Sequence, residues 1–228
     1  MLKNMTEKEK VLQEATSRIT ENLSAYSFLL QSKGKSIVKY SADKDVKLEI
    51  FFQVNRLSRA IDLEVFPHIE ISSKYLKNWQ QSEKLPNPTG VIFHSFLGYI
   101  SPRKPKYHWT ITGLSQINAV NEITEIIIRY ALPIFDLFDN PNSAIEFLAV
   151  NGQFNKYTDY TLMPLDFMIC FAPKEQAEQF FNHCPHKGKN IALYQELENC
   201  SEINLSYCEF YEANKVRLAY KYGLKNNK

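Results

Sequence analysis

Hydrophobic residues change their spacing once in the first half of the chain, and the change separates a helix from a set of strands. Apolar residues recur every three or four positions between Leu12 and Leu30, as on one face of an α-helix. Thr6 and Glu9 have the spacing of a capping box, in which each side chain binds the other residue's backbone N–H. These features predict a helix that begins after Thr6 and ends at Gly34.

Beyond Gly34 the hydrophobic period falls to two. Apolar side chains occupy every second position in 46–54 and most of the matching positions in 61–71. This alternation is typical of antiparallel strands with one buried and one solvated face. The two stretches predict a hairpin whose loop is Arg56–Arg59.

The register of this hairpin follows from placing the apolar residues of both strands on one face. The expected pairs are Val54 with Ile61, Phe52 with Leu63, and Ile50 with Val65. Phe52 and Leu63 are then buried side by side. Gln53 and Asp62 face solvent.

Three more strands are predicted. One precedes the hairpin through a turn at 43–45, and its expected pairs are Val38 with Ile50 and Tyr40 with Leu48. Val91–Ile100 is apolar on both faces apart from His94 and Ser95, and is therefore expected to be more central or better covered than the other strands. Tyr107–Thr112 is a short strand that carries Trp109.

The remaining pattern is helical. Helices are expected at 73–81, 115–138, 143–150, 173–182 and 202–222, with a kink at Pro133 and a loose segment at 152–162. The fold class is therefore α+β, an antiparallel meander of about five strands packed against helices. Residues 1–150 are predicted to form the α+β domain, and residues 151–228 a helical extension packed on the same unit.

Composition narrows the function only by exclusion. The 27 basic and 25 acidic residues give a net charge of +2, too even for wholesale attraction to nucleic acid or membranes. Seven glycines argue against phosphate-cradling loops, and four cysteines do not make a disulfide framework. The first ten residues have no apolar run typical of a secretory signal, and 126–138 is too short to span a membrane. We expect a cytoplasmic protein without a cofactor.

One loop combines basic and aromatic residues. We call it the basic–aromatic loop and take as its partner-binding residues Tyr99, Arg103, Lys104, Lys106, Tyr107 and Trp109. Such a loop suits an acidic protein surface, where Trp, Tyr and Arg are favoured anchors. It equally suits nucleic acid, with basic groups on phosphates and a ring on a base. The plainest interpretation is a strand connection with solvated lysines and a core tryptophan.

The order of elements, ending in the helix Arg129-Tyr130-Ala131-Leu132-Pro133-Ile134-Phe135, resembles that of uncharacterised bacterial domain-of-unknown-function families. Some of their members resemble immunity proteins encoded beside secreted toxins. The resemblance covers roughly residues 10–150. It implies a small α+β protein that binds another protein, and it implies no catalytic residues.

Two clusters could carry chemistry. Asp62, Glu64, His68 and Glu70 lie along one predicted strand and could hold a metal or do acid–base work. The preferred interpretation is a solvated face on which opposed charges neighbour each other. His183, Cys184 and His186 lack a second pair of ligands, so we predict no zinc site. Cys170 stands in an apolar run, where a thiol is unreactive.

These observations favour a non-enzymatic, protein-binding function. Its most concrete form is a bacterial immunity protein that neutralises a toxin by occlusion. The first alternative is a nucleic-acid-associated protein that uses residues 99–109. The second is a metal-dependent hydrolase that uses the carboxylates of 62–70.

Overall fold

The structure of the chain is a computed structural model, and it describes residues 5–103, 108–183, 193, 196–197 and 211–225. An antiparallel sheet is combined with helices, so the α+β class is confirmed. The strands are β1 (Leu29–Gln31), β2 (Ser36–Tyr40), β3 (Val46–Val54), β4 (Glu64–Ser73), β5 (Val91–Phe96) and β6 (Trp109–Thr110). The helices are α1 (Glu7–Asn22), α2 (Lys74–Ser82), α3 (Ser115–Ile126), α4 (Leu132–Asp136), α5 (Pro141–Asn151), α6 (Leu165–Phe171), α7 (Lys174–His183) and α8 (Tyr211–Lys221).

The sheet follows chain order as a meander. Its strands run β1-β2-β3-β4-β5, and β6 pairs with the start of β4. β5 thus ends the row, so it is not the more central strand that was one of the two expectations for it. Burial on both faces explains its apolar residues, since Ile92 and Phe93 are buried and Phe96 is half-buried.

The first helix starts where the sequence predicts but ends earlier. The Thr6–Glu9 capping box is present, and α1 buries Leu12, Ala15 and Ile19. The predicted continuation to Gly34 is wrong, because a short 3₁₀ turn follows and Ser27 takes a left-handed backbone conformation with φ of 61°. The chain then reverses into β1.

The turn between β2 and β3 shifts the predicted register by one residue. Ile37, and not Val38, lies opposite Ile50. The Ser41 backbone N–H donates to the carbonyl of Val46 at 2.9 Å, and the Ser41 hydroxyl accepts from the Val46 N–H at 2.9 Å. These bonds pair Ser41 with Val46 and lengthen the expected turn by one residue.

The β3–β4 hairpin keeps the predicted core face but not the predicted pairing. Phe52 and Leu63 are buried, and Gln53 and Asp62 are exposed, as expected. The Asn55 N–H donates to the carbonyl of Glu64 at 3.0 Å, where the sequence predicted Ala60 opposite Asn55. The pairing of Phe52 with Leu63 is therefore wrong, and Ile61 is 75% exposed in a 3₁₀ turn.

The helix predicted at 115–138, with a kink at Pro133, contains a widened turn just before this proline. α3 and α4 are joined by a π-helical turn at Ile127–Ala131. Pro133 has no N–H, and its ring crowds the carbonyl four residues earlier, so a wider turn relieves the clash.

Helices at α2, α5 and α7 confirm their predictions, and the segment after α5 is irregular as expected. α6 was not predicted. The end of the chain is helical at α8, whereas positions 202–210 of the predicted helix lie outside the described residues. Within the ranges that the structure covers, no helix has both the length and the apolarity needed to cross a bilayer.

Residue contacts divide the chain into two compact units, each made of two segments. Unit 1 contains Met1–Ile71 and His94–Asp136, and unit 2 contains Ser72–Phe93 and Leu137–Lys228. Fully buried side chains of unit 1 include Ile19, Leu48, Ile50 and Trp109, and those of unit 2 include Leu148, Met168, Phe180 and Phe181. The division at residue 150 stays a prediction.

Candidate functional site

The described ends of the basic–aromatic loop differ in exposure. Tyr99 is 37% exposed, whereas Trp109 is 2% exposed and pairs with Val65 inside unit 1. The exposed Arg103 guanidinium contacts the carboxylate of Glu122 on α3 at 3.1 Å. Trp109 therefore stabilises the core and presents no ring to a partner. Lys104, Lys106 and Tyr107 lie outside the described residues.

A cluster of rings lies on the sheet face opposite the buried apolar residues of β3. We call it the aromatic–histidine face, and its members are Phe51, Phe66, His68, His94 and Phe96. The strand period brings them together, since Phe51 alternates with buried Ile50 and Phe52. All except His68 are half-buried.

His68 lies at the centre of this face. Its ring stacks on Phe51 with centroids 4.6 Å apart and planes 6° apart. Phe96 packs on it at 4.4 Å, and His94 stacks at 5.3 Å. Three strands therefore contribute to one packed stack of rings, whose geometry is fixed by the sheet.

The His68 side chain is neutral because its neighbours exclude water. It is only 7% exposed, and burial, with a smaller contribution from His94, lowers its pKa to about 4. Its Nε2 lies 3.0 Å from Oε1 of Gln53, so Nε2 carries the proton in this hydrogen bond. Nδ1 is buried without a hydrogen-bond partner among the described residues. The predicted solvated histidine is therefore a buried one.

The face continues toward both ends of the basic–aromatic loop. Phe96 meets Tyr99 edge-on with centroids 5.8 Å apart. Phe66 packs against His108 at 6.0 Å. Among the predicted partner-binding residues that the structure describes, Tyr99 contacts the ring cluster.

Carboxylates predominate among the charges beside the rings. Glu49, Glu64 and Glu70 share this side of β3 and β4 with Lys47. The Lys47 ammonium is bound to Glu49 at 2.6 Å. The described part of the face is therefore acidic.

The row from Asp62 to Glu70 does not converge on one point. Asp62 lies in the 3₁₀ turn, where the Arg59 N–H holds the pKa of its carboxyl below the usual value. Glu64 accepts from the Asn55 amide at 2.8 Å, and His68 is enclosed by rings. Within the ranges that the structure covers, no three His, Cys, Asp or Glu side chains are arranged to hold a metal ion.

His183 has a structural contact in unit 2. Its Nε2 lies 2.7 Å from the carbonyl oxygen of Ala149. Cys184 and His186, the other two residues of this candidate zinc cluster, lie outside the described residues.

The sequence contains one indication of the ring cluster, which prediction of the strand pairing does not take into account. Phe51 and Phe66 occupy alternation positions where polar residues are expected. Phe51 becomes a neighbour of His94 only through β5, a strand that comes later in the chain.

No protein-family model, curated protein or solved structure matches this chain.

Proposed function

We propose that this protein is a non-enzymatic binding protein that docks a protein partner on its aromatic–histidine face. The observation that carries the proposal is the stack of Phe51, His68 and Phe96 on the side of the sheet away from its apolar core. Aromatic residues are enriched among the anchors of protein interfaces. Rings already held by stacking lose little conformational freedom on binding, which favours affinity.

The charge of the face favours a protein over a nucleic acid. Nucleic-acid binding depends on Lys and Arg that neutralise phosphates. On this face Lys47 is bound to Glu49, and Glu64 and Glu70 add negative charge. A partner with basic groups around an apolar patch is complementary to it, whereas the basic–aromatic loop was predicted to suit an acidic partner.

The resemblance to families with immunity-like members suggests a toxin as that partner. A rigid docking face is sufficient for neutralisation by occlusion, because covering an active surface needs no chemistry. The proposal therefore requires binding to this face and does not require a catalytic residue.

Site-specific photo-crosslinking in the native cell tests the docking face. A benzoylphenylalanine in place of Phe66 should give a covalent product with one protein, and the same residue in place of Tyr160 in unit 2 should not. Tyr160 is a suitable control because it is aromatic and 45% exposed. The product should survive nuclease treatment. A nuclease-sensitive product at position 66, or no product there, contradicts the proposal.

Toxin neutralisation is tested separately, with the partner protein that crosslinking identifies. Expressed alone, that protein should stop growth, and coexpression of this chain should restore it. A Phe51→Ala, Phe66→Ala double variant should restore growth poorly. If the partner is harmless to cells, the protein binds it on this face but is not an immunity protein against it.

A further inference from the structure

Unit 2 contains a cavity that the proposed docking face does not use. Its volume is about 210 Å³. α2, α6, α8 and the 85–91 segment form its walls. The apolar part of the wall includes Leu85, Val91 and Leu218.

One side of the cavity is a buried polar network. The Lys215 ammonium donates to Oδ1 of Asp166, and the Gln80 amide donates to Oδ2 of the same carboxylate at 2.7 Å. The Lys215 and Asp166 side chains are 8% and 9% exposed. A buried ion pair contributes little to stability compared with well-packed apolar residues. Its place in a cavity wall therefore suggests a role in recognition.

The 85–91 segment that lines the cavity is held in place at Gly90. The Gly90 N–H donates to Oε1 of Gln80 at 2.8 Å, so one amide side chain holds both this segment and Asp166. Gly90 has φ of 74°, and a Cβ there would lie 2.3 Å from the carbonyl oxygen of Ser73. The cavity is thus preformed, which lowers the entropy lost when a ligand binds.

The charge balance of the wall selects the ligand. Asp166 and Lys215 are the charged residues among the described lining side chains, and they neutralise each other. A charged ligand would place an uncompensated charge beside these two buried side chains, which is unfavourable. A neutral ligand with a hydrogen-bonding group avoids this penalty, and its body can pack on the leucines and Val91.

We propose that this cavity binds a neutral, ring-sized organic molecule that carries an amide or hydroxyl group. An apolar cavity of about 150 Å³ holds benzene. A volume of about 210 Å³ therefore accommodates such a ring with one polar substituent. The polar group lies at the Asp166–Lys215–Gln80 side, and the ring lies between Leu85 and Leu218.

Four probes of one shape and different charge test this inference: benzamide, benzoate, benzylammonium and toluene. In protein labelled with ¹³C at leucine methyl groups, benzamide should shift the signals of Leu85 and Leu218. Leu12 and Leu48 of unit 1 should not move. Benzamide should bind at least about ten-fold more tightly than each of the other three, a difference of about 1.4 kcal/mol.

A cavity-filling variant gives an independent readout. Leu218→Trp should abolish the benzamide shift at Leu85, whereas Val150→Ala, at a residue 70% exposed in unit 2, should retain it. If Leu218→Trp does not fold, the titrations of wild-type protein with the four probes test the proposal by themselves. The proposal is overturned if benzamide fails to shift Leu85 and Leu218, or if benzoate, benzylammonium or toluene binds as tightly as benzamide.

Discussion

At the scale of single residues, His68 shows how neighbours can override a strand's alternation. Its position in β4 belongs to the side where polar groups are expected, together with Glu64 and Glu70. Phe51 and Phe96 nevertheless cover it, and the ring becomes a buried neutral imidazole. The face is therefore hydrophobic at its centre and acidic at its edge.

This burial predicts a pH-dependent stability. Because the folded-state pKa of His68 is about 4 and the ordinary value is 6.5, the unfolded state binds more protons between these values. The free energy of unfolding should fall as pH decreases from 6.5 to 4, by up to about 3 kcal/mol from this residue, and should not depend on it above pH 7.

Urea unfolding of wild type and His68→Phe across this range isolates the contribution. The introduced phenylalanine can stack on the same rings but binds no proton, so the variant should lose less stability on acidification. Parallel pH profiles for the two proteins would show that His68 is solvated and titrates normally.

Replacing Gly90 by alanine is expected to cause a steric clash, and the same replacement at Gly113 is the control. Gly90→Ala places a Cβ 2.3 Å from a backbone oxygen at φ of 74°, whereas Gly113 at φ of 55° has open space around it. Both substitutions incur the left-handed penalty of about 1–2 kcal/mol. Gly90→Ala should lose about 1–3 kcal/mol more. Equal losses in thermal or urea unfolding would contradict the close approach at Gly90.

At the scale of elements, the sequence was sufficient to identify the strands and insufficient to predict their pairing register. Alternation identified β3, β4 and their buried face, because burial repeats every second residue. Pairing depended instead on polar side chains in the turns. Ser41 binds Val46, and Asn55 accepts from the Leu57 N–H and donates to Glu64, so each turn takes in residues that were assigned to strands.

Ser41 therefore stabilises the β2–β3 turn through its hydroxyl. That hydroxyl accepts from the Val46 N–H at 2.9 Å and donates to Asp43 at 2.6 Å. Ser41→Ala should lower the free energy of unfolding by about 1–3 kcal/mol, since a buried N–H loses an acceptor. Ser115→Ala, at an exposed position, should change it by less than about 0.5 kcal/mol. Similar small effects at both positions in urea unfolding would contradict this role.

At the scale of the whole molecule, each unit combines segments that are distant in sequence. The α+β class and meander order could be predicted because neighbouring strands follow each other along the chain. The ring cluster could not, since Phe51 and His94 are brought together by the position of β5 in the sheet. Trp109 was grouped with exposed basic residues by its place in the sequence, and its pairing with Val65 buries it instead.

We expect the aromatic–histidine face to contact the partner directly. Crosslinking identifies the partner, and calorimetry with the free partner then gives its dissociation constant from wild type, Phe66→Ala and the control Tyr75→Ala. Tyr75 is aromatic, 58% exposed and in unit 2. Phe66→Ala should weaken binding by about 30-fold or more, the effect of an interface anchor worth about 2 kcal/mol, with Tyr75→Ala unchanged. Wild-type affinity in folded Phe66→Ala protein would contradict the claim.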